Sequence, residues 1–172
     1  MLFQDEGRFG RISELRASWA PAKVRPLEAR QVVRESVYAY AAVAPAEGRM
    51  VTMLAPKCNT DGFDAFLRKV AEAFAGRRVV MFLDGAGWHK AKRLKIPETM
   101  RLEFLPPYTP ECNPVEHLWD ELREKHFANR LFQTLQDVEV RLQTGLDELD
   151  ADPQRLKSIA CFPWISGWLL YL

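Results

Sequence analysis

The stretch Val79-Val80-Met81-Phe82-Leu83 runs straight into Asp84-Gly85. Five consecutive apolar residues without polar alternation predict a strand covered on both faces, and such strands belong to parallel sheets. A parallel neighbour requires a crossover element, normally a helix. The flanks supply both parts. Before the run, Phe63, Phe66, Leu67, Val70 and Phe74 fall at helical spacing in "NTDGFDAFLRKVAEAFAG", and Gly76 ends the pattern. After it, "MRLEFLPP" reads as a second short strand of the same type. This much already commits the chain to an α/β class.

Upstream, "LFQDEGRFG" alternates loosely. Phe3, Asp5 and Phe9 share one face, and Gln4, Glu6 and Arg8 share the other. "RESVYAYAAVAPAEGRMVTMLAP" is a hairpin around the turn signal "PAEGR". Between them "LRASWAPAKVRP" is an extended excursion broken by Pro21 and Pro26. Downstream, one helix carries Val115, Leu118, Trp119 and Leu122 on one side, and another carries Leu135, Val138, Leu142, Leu146 and Leu149. The terminal "CFPWISGWLLYL" is apolar and aromatic, and serves either as a partner surface or as a last core segment. The order gives a mixed five-stranded sheet flanked by helices. The 172 residues suit one domain spanning 1–172.

Composition excludes several classes. The chain is 48% hydrophobic and 27% charged, so it is not a disordered polymer. No apolar run approaches the roughly 18 residues of a membrane span, and a charge at the fifth residue argues against a secretory leader. Cys58, Cys112 and Cys161 form neither a CxxC pair nor an even disulfide set. A reducing cytoplasm is the expected home. A net charge of +1 neither demands nor excludes nucleic acid, because local patches decide that.

Three carboxylates stand out. Asp84 ends a strand expected to be buried, where ligands gather in open α/β sheets and where a buried charge needs a partner or a metal. Its bland reading is a cap for "GWHK". Asp5 lies on the Phe3 face of the first strand, or is simply a strand-end residue. Glu116 lies in "PPYTPECNPVEHLW". There Asn113 is a helix cap and Pro114 suits the first helical position, so Glu116 either reaches back to the cap or is a catalytic carboxylate. An oxygen-rich set poor in His and Cys selects Mg²⁺ or Mn²⁺. Two such ions about 4 Å apart suit phosphodiester chemistry.

"FQDE", "FLDGAGWHK" and "PPYTPECNPVEHLW" resemble the catalytic domain of the mariner-like transposases, most closely the bacterial insertion-sequence branch. The resemblance covers roughly residues 1–145, and the last block is its most specific part. It implies a ribonuclease H-like fold with Asp5, Asp84 and Glu116 as a catalytic triad. The triad would hold two divalent ions, Mg²⁺ or Mn²⁺. The 31 residues between Asp84 and Glu116 are short for the eukaryotic relatives and fit the bacterial branch. The implied reaction is hydrolysis at transposon ends followed by attack of the freed 3′-hydroxyl on target DNA. Asn113 and Pro114 become positioning residues that set where Glu116 points. The implied partner is DNA, with a homodimer expected and no small-molecule cofactor. The amino-terminal helix-turn-helix modules of full-length members are not seen in this sequence. Two other readings stand beside this one: a non-catalytic DNA-binding, assembly or inhibitory module, and another ribonuclease H-like nuclease.

The run "HKAKRLK" sets His89, Lys90, Lys92, Arg93 and Lys95 beside the proposed site. These are candidate contacts to DNA phosphates, and the alternative is a solvated face. His89 is alternatively a group that orients a ligand carboxylate. Trp19 is a candidate for stacking on a base or for packing between chains. Trp119 reads as core, Asp120 as a solvated position near the site, and His117 and His126 as surface.

Overall fold

The computed structural model describes residues 1–17 and 19–168. Its strands are β1 (Leu2–Ile12), β2 (Val32–Ala44), β3 (Arg49–Ala55), β4 (Val79–Leu83) and β5 (Met100–Phe104). Its helices are α1 (Thr60–Ala73), α2 (Val115–Leu122), α3 (Leu135–Asp150), α4 (Pro153–Ala160) and α5 (Pro163–Trp168). One sheet runs in the order β3-β2-β1-β4-β5. β2 is antiparallel to both β1 and β3, whereas β4 is parallel to both β1 and β5.

Strand alternation splits the interior into two layers. On one face, Leu2, Tyr40, Ala42, Met81 and Leu83 pack under Phe63, Phe66, Leu67 and Val70 of α1. On the other, Phe3, Phe9, Ala39, Ala41 and Val43 meet Leu118, Trp119 and Leu122 of α2 and Leu142 and Leu146 of α3. The small side chains of Ala39 and Ala41, both fully buried, let those helices sit close to the sheet.

Helix ends follow local chemistry. Asn59 caps α1 by accepting from Gly62 N at 2.7 Å, and Thr134 and Asp137 form a reciprocal capping box at α3. The β2–β3 turn is closed by Gly48 at φ 63°, where a side chain would be strained.

Several expectations need correction. β4 is not covered along the whole of both faces: Val80 is 37% exposed. β5 is the sheet edge and leaves Phe104 partly in solvent, so it is not a strand of the buried type. The helix after the proline-rich loop ends in a π turn at Arg123–Phe127. His126 in that turn is buried rather than on the surface, beside Gly145, where a Cβ would come within 2.9 Å of its ring. α4 and α5 lie where no helix was expected. Asp152 caps α4 through Arg155 N at 3.0 Å, and Pro153 opens it. In the tail, Ile165 is buried and Trp164 meets Phe3 edge-on at 5.9 Å, so this part closes the core. Residues 169–172 of the tail lie outside the described residues.

Candidate active site

The parallel register Leu2↔Met81 and Phe3↔Phe82, continued along both strands, brings Asp5 level with Asp84. Helix α2 crosses the Asp5 face of β1 and carries Glu116 in its first turn. The loop after β5 closes the far side. The result is a cleft of about 510 Å³ lined by Asp5, Asp84 and Glu116, with Lys90, Tyr108 and Asn113 on its walls.

Asp5 is held by the Trp119 indole, whose Nε1–H donates to Asp5 Oδ2 at 2.8 Å. That approach depends on Gly7, two residues along the same face. A Cβ there would lie 2.7 Å from the Trp119 ring. Phe9, two further on, meets Trp119 at 5.8 Å in a T-shaped contact. Burial, and then the neighbouring Glu116 charge, push the Asp5 carboxyl up to about 7 despite the Trp119 bond. Glu116 is also raised, first by burial, with Asp120 and Asp84 adding to it against Arg123. Both carboxyls are thus held toward their protonated form in this cleft.

Asp84 differs from expectation. Its side chain is 60% exposed at the cleft mouth, so burial does not demand a partner. It has partners nonetheless. Oδ1 accepts from Ala86 N at 3.0 Å and lies 2.8 Å from His89 Nδ1. The His89 bond holds the Asp84 carboxyl below the usual range, with Ala86 N and Lys90 helping against partial burial.

Asn113 and Pro114 were expected to cap and open the helix and so to set where Glu116 points, with a reach-back of Glu116 to the cap as its bland reading. Helix α2 instead begins at Val115, one residue later. Asn113 Oδ1 accepts from Val115 N at 3.3 Å, and its Nδ2 donates to Gln4 O on β1 at 2.9 Å. The Asn113 backbone N–H already donates to Pro110 O at 2.9 Å, which leaves the reach-back role of Glu116 without a donor. Asn113 therefore pins the helix start to the strand that carries Asp5.

The neighbour of Asp5 points the other way. Glu6 Oε1 accepts from His89 Nε2 at 2.9 Å, Trp88 Nε1 at 3.3 Å and Gln4 Nε2 at 3.0 Å, on the α1 side of the sheet. His89 is 2% exposed and packs on Phe63 at 4.3 Å. Burial lowers its affinity for a proton, but the bonds to Asp84 and Glu6 outweigh that and raise it to about 9. As a DNA contact His89 is therefore a correction: its ring is enclosed and both nitrogens face carboxylates.

The other basic candidates separate. Lys90 lines the cleft, with its ammonium 4.8 Å above the Phe104 ring. Arg93 is held by Asp61 at 2.5 Å, and Lys92 and Lys95 are exposed. Trp19 is wholly exposed on the β1–β2 excursion. Glu6, Gly7 and the indole N–H of Trp119 escaped sequence reasoning as site residues. The alternation of β1 gave their faces but not what each face would meet.

The all-oxygen set Asp5, Asp84 and Glu116 suits hard divalent cations. Among the described residues, however, no three His, Cys, Asp or Glu side chains are drawn together as a ready cation-holding group. The carboxylates share a cleft without being gathered into one.

A mixed five-stranded sheet in this order, with helices on both faces, is the ribonuclease H-like fold. The model of the DDE superfamily endonuclease family matches residues 1–139, and the chain belongs to that family. A curated relative is an uncharacterized protein, y4pE/y4sA, of Sinorhizobium fredii (strain NBRC 101917 / NGR234). It is 33% identical over 128 residues, covering 74% of this chain and 95% of the relative. Among solved structures, the catalytic domain of Mos1 mariner transposase superposes with a TM-score of 0.61 at 14% identity, covering 92% of this chain and 74% of that one. The Mos1 mariner paired-end complex with Mn gives 0.58 at 14% identity, with 92% and 55% covered. The chain thus spans about half the length of the Mos1 chain in that complex.

Proposed function

We propose that residues 1–172 form one catalytic domain of a DNA transposase that uses Mg²⁺ or Mn²⁺ to cut phosphodiester bonds at transposon ends. Joining of the freed 3′-hydroxyl to target DNA belongs to the same proposal. The observation that carries it is the meeting of Asp5, Asp84 and Glu116 in one cleft, from two strands and a helix far apart in sequence. A pair of hard cations there would supply an activated water and charge stabilisation at the leaving oxygen. The chain's own residues do the rest. Asp5 and Glu116 offer carboxylate oxygens to the cations from two sides of the cleft. Lys90 presents a cation to a strand phosphate at the cleft wall. Asn113 fixes the helix start that aims Glu116.

DNA is the proposed partner, supported by the Mos1 transposase paired-end complex with left transposon end, and the ion by the Mos1 mariner paired-end complex with Mn. Two copies per DNA complex is part of the proposal. It is supported by the solvent-exposed Leu15, Trp19, Val24 and Leu27 on the β1–β2 excursion. The test is an anomalous-scattering map from crystals soaked in Mn²⁺, with and without a DNA duplex. Density bounded by Asp5, Asp84 and Glu116, and lost in Asp84→Asn, is the expected result. Ordered side chains with no density in either soak would overturn it.

A second reading is a non-catalytic assembly or inhibitory module. What favours it is that, among the described residues, these carboxylates are not drawn together into one cation-holding group. The DNA arm of the soak separates the two.

A further inference from the structure

The dipeptide Asp5-Glu6 sends two carboxylates to opposite faces of the sheet. Asp5 enters the cleft, and Glu6 is enclosed on the α1 side with 7% of its side chain exposed. A carboxylate held there without a task is costly, because desolvation must be repaid by donors. Glu6 Oε1 has three donors, and one of them is His89 Nε2. The opposite nitrogen of the same ring meets Asp84 Oδ1 at 2.8 Å and lies 3.2 Å from Asp84 O. Phe63 at 4.3 Å and Trp88 at 5.7 Å fix the plane of the imidazole between them. A buried anchor on β1 is thereby linked through one rigid ring to an exposed carboxylate at the end of β4.

The geometry points to Glu6 and His89 as a positioning pair that sets the rotamer of Asp84 and presents its Oδ2 alone to a cation. Oδ1 is already committed to His89 and to Ala86 N, so Asp84 serves as a one-oxygen ligand. Neither Glu6 nor His89 lines the cleft. This inference rests on the metal-holding reading above. Partners that orient a metal ligand from behind typically account for a 10–100-fold change in metal affinity.

The test measures Mn²⁺ affinity of the 172-residue chain by electron paramagnetic resonance of the free ion, with a melting curve for each variant. The variants are Glu6→Gln, His89→Gln, Asp84→Asn and Phe66→Leu. Phe66, on α1, packs its ring on Tyr40 at 5.5 Å. It reports what loosening that layer does on its own. Expected are a 10–100-fold weaker affinity in Glu6→Gln and His89→Gln with cooperative melting retained, and a lowered melting temperature with unchanged affinity in Phe66→Leu. If the unaltered chain binds in an Asp84-dependent way and either folded pair variant binds equally well, the positioning role is overturned and the metal site stands. Equal loss in Phe66→Leu also overturns it, since any loosening of the layer would then suffice. If Asp84→Asn binds as the unaltered chain does, the metal-holding reading falls and this inference with it.

Discussion

Trp119 on α2 donates its indole N–H to Asp5 on β1 at 2.8 Å, so a core tryptophan also holds a cleft carboxylate. The two roles can be separated. Trp119→Phe keeps a ring against Phe9 and removes the donor. The Trp119 bond lowers the Asp5 carboxyl, so its loss raises that carboxyl above about 7. Carbon-detected NMR titration of Asp5 reads the shift. The fold should lose about 1–2 kcal/mol above that pH, where the bond is charge-assisted, and less in acid. An Asp5 titration unchanged by the substitution would show that the indole does not act on the carboxylate.

Gly7 makes the approach of Trp119 possible. A Cβ there would lie 2.7 Å from the Trp119 ring and 2.8 Å from Phe9. Gly7→Ala should destabilise the fold by about 1–3 kcal/mol through overpacking, and should shift Trp119 off Asp5. Urea unfolding followed by tryptophan fluorescence checks the first effect, and a crystal structure the second. Wild-type stability in Gly7→Ala would mean the helix can move away at no cost.

The raised Asp5 carboxyl gives stability a pH signature. Its folded value of about 7 lies above the ordinary 3.8, so the folded state holds the proton more tightly. The corresponding stability is present in full below about pH 4 and is lost as pH rises through about 7. Asp5→Asn should therefore stabilise the chain by roughly 1–3 kcal/mol at pH 8.5 and leave it little changed at pH 4. Urea midpoints at both pH values decide this. A gain of equal size at both would place its cause elsewhere. Any cation bound by Asp5 should be held more tightly as pH passes from 6 to 8, since the proton competes with it.

Lys90 and Arg93 should differ in DNA binding. Lys90 stands on the cleft wall, while Arg93 is engaged by Asp61. Lys90→Ala should reduce the slope of log affinity against log salt by about 1, the signature of one lost phosphate contact. Arg93→Ala should change it less. Fluorescence anisotropy with a duplex over a range of salt makes the comparison, and equal slopes for Lys90→Ala and the unaltered chain would remove Lys90 from the interface.

Local signals in the sequence carried far where the periodicity was clean. The alternation of Phe3, Asp5 and Phe9 against Gln4 and Glu6 placed the two acidic neighbours on opposite faces, and the structure keeps them there. The spacing of Phe63, Phe66, Leu67 and Val70 marked the buried side of α1. What was not legible depended on distant partners. An apolar run says nothing about which helices will cover it, so the exposed Val80 could not be foreseen. His89 reads as a loop residue until the fold closes Phe63 over it. Asn113 carried a cap signal, but its longest-range bond, to Gln4 O, comes from a strand 109 positions away. The four-residue turn at 45–48 was readable because its chemistry is its own.

The opposite orientation of Asp5 and Glu6 has a consequence for how this chain tolerates change. β1 is paired along most of its length with β2, from Phe3↔Val43 to Phe9↔Val37. A slip of one residue in that ladder would turn each carboxylate to the opposite face, into the layer built for the other. Such a register slip would thus scramble both acidic networks at once without removing either acid. The backbone ladder acts as a ruler for the chemistry, and an error in counting is an error in function before it is an error in folding.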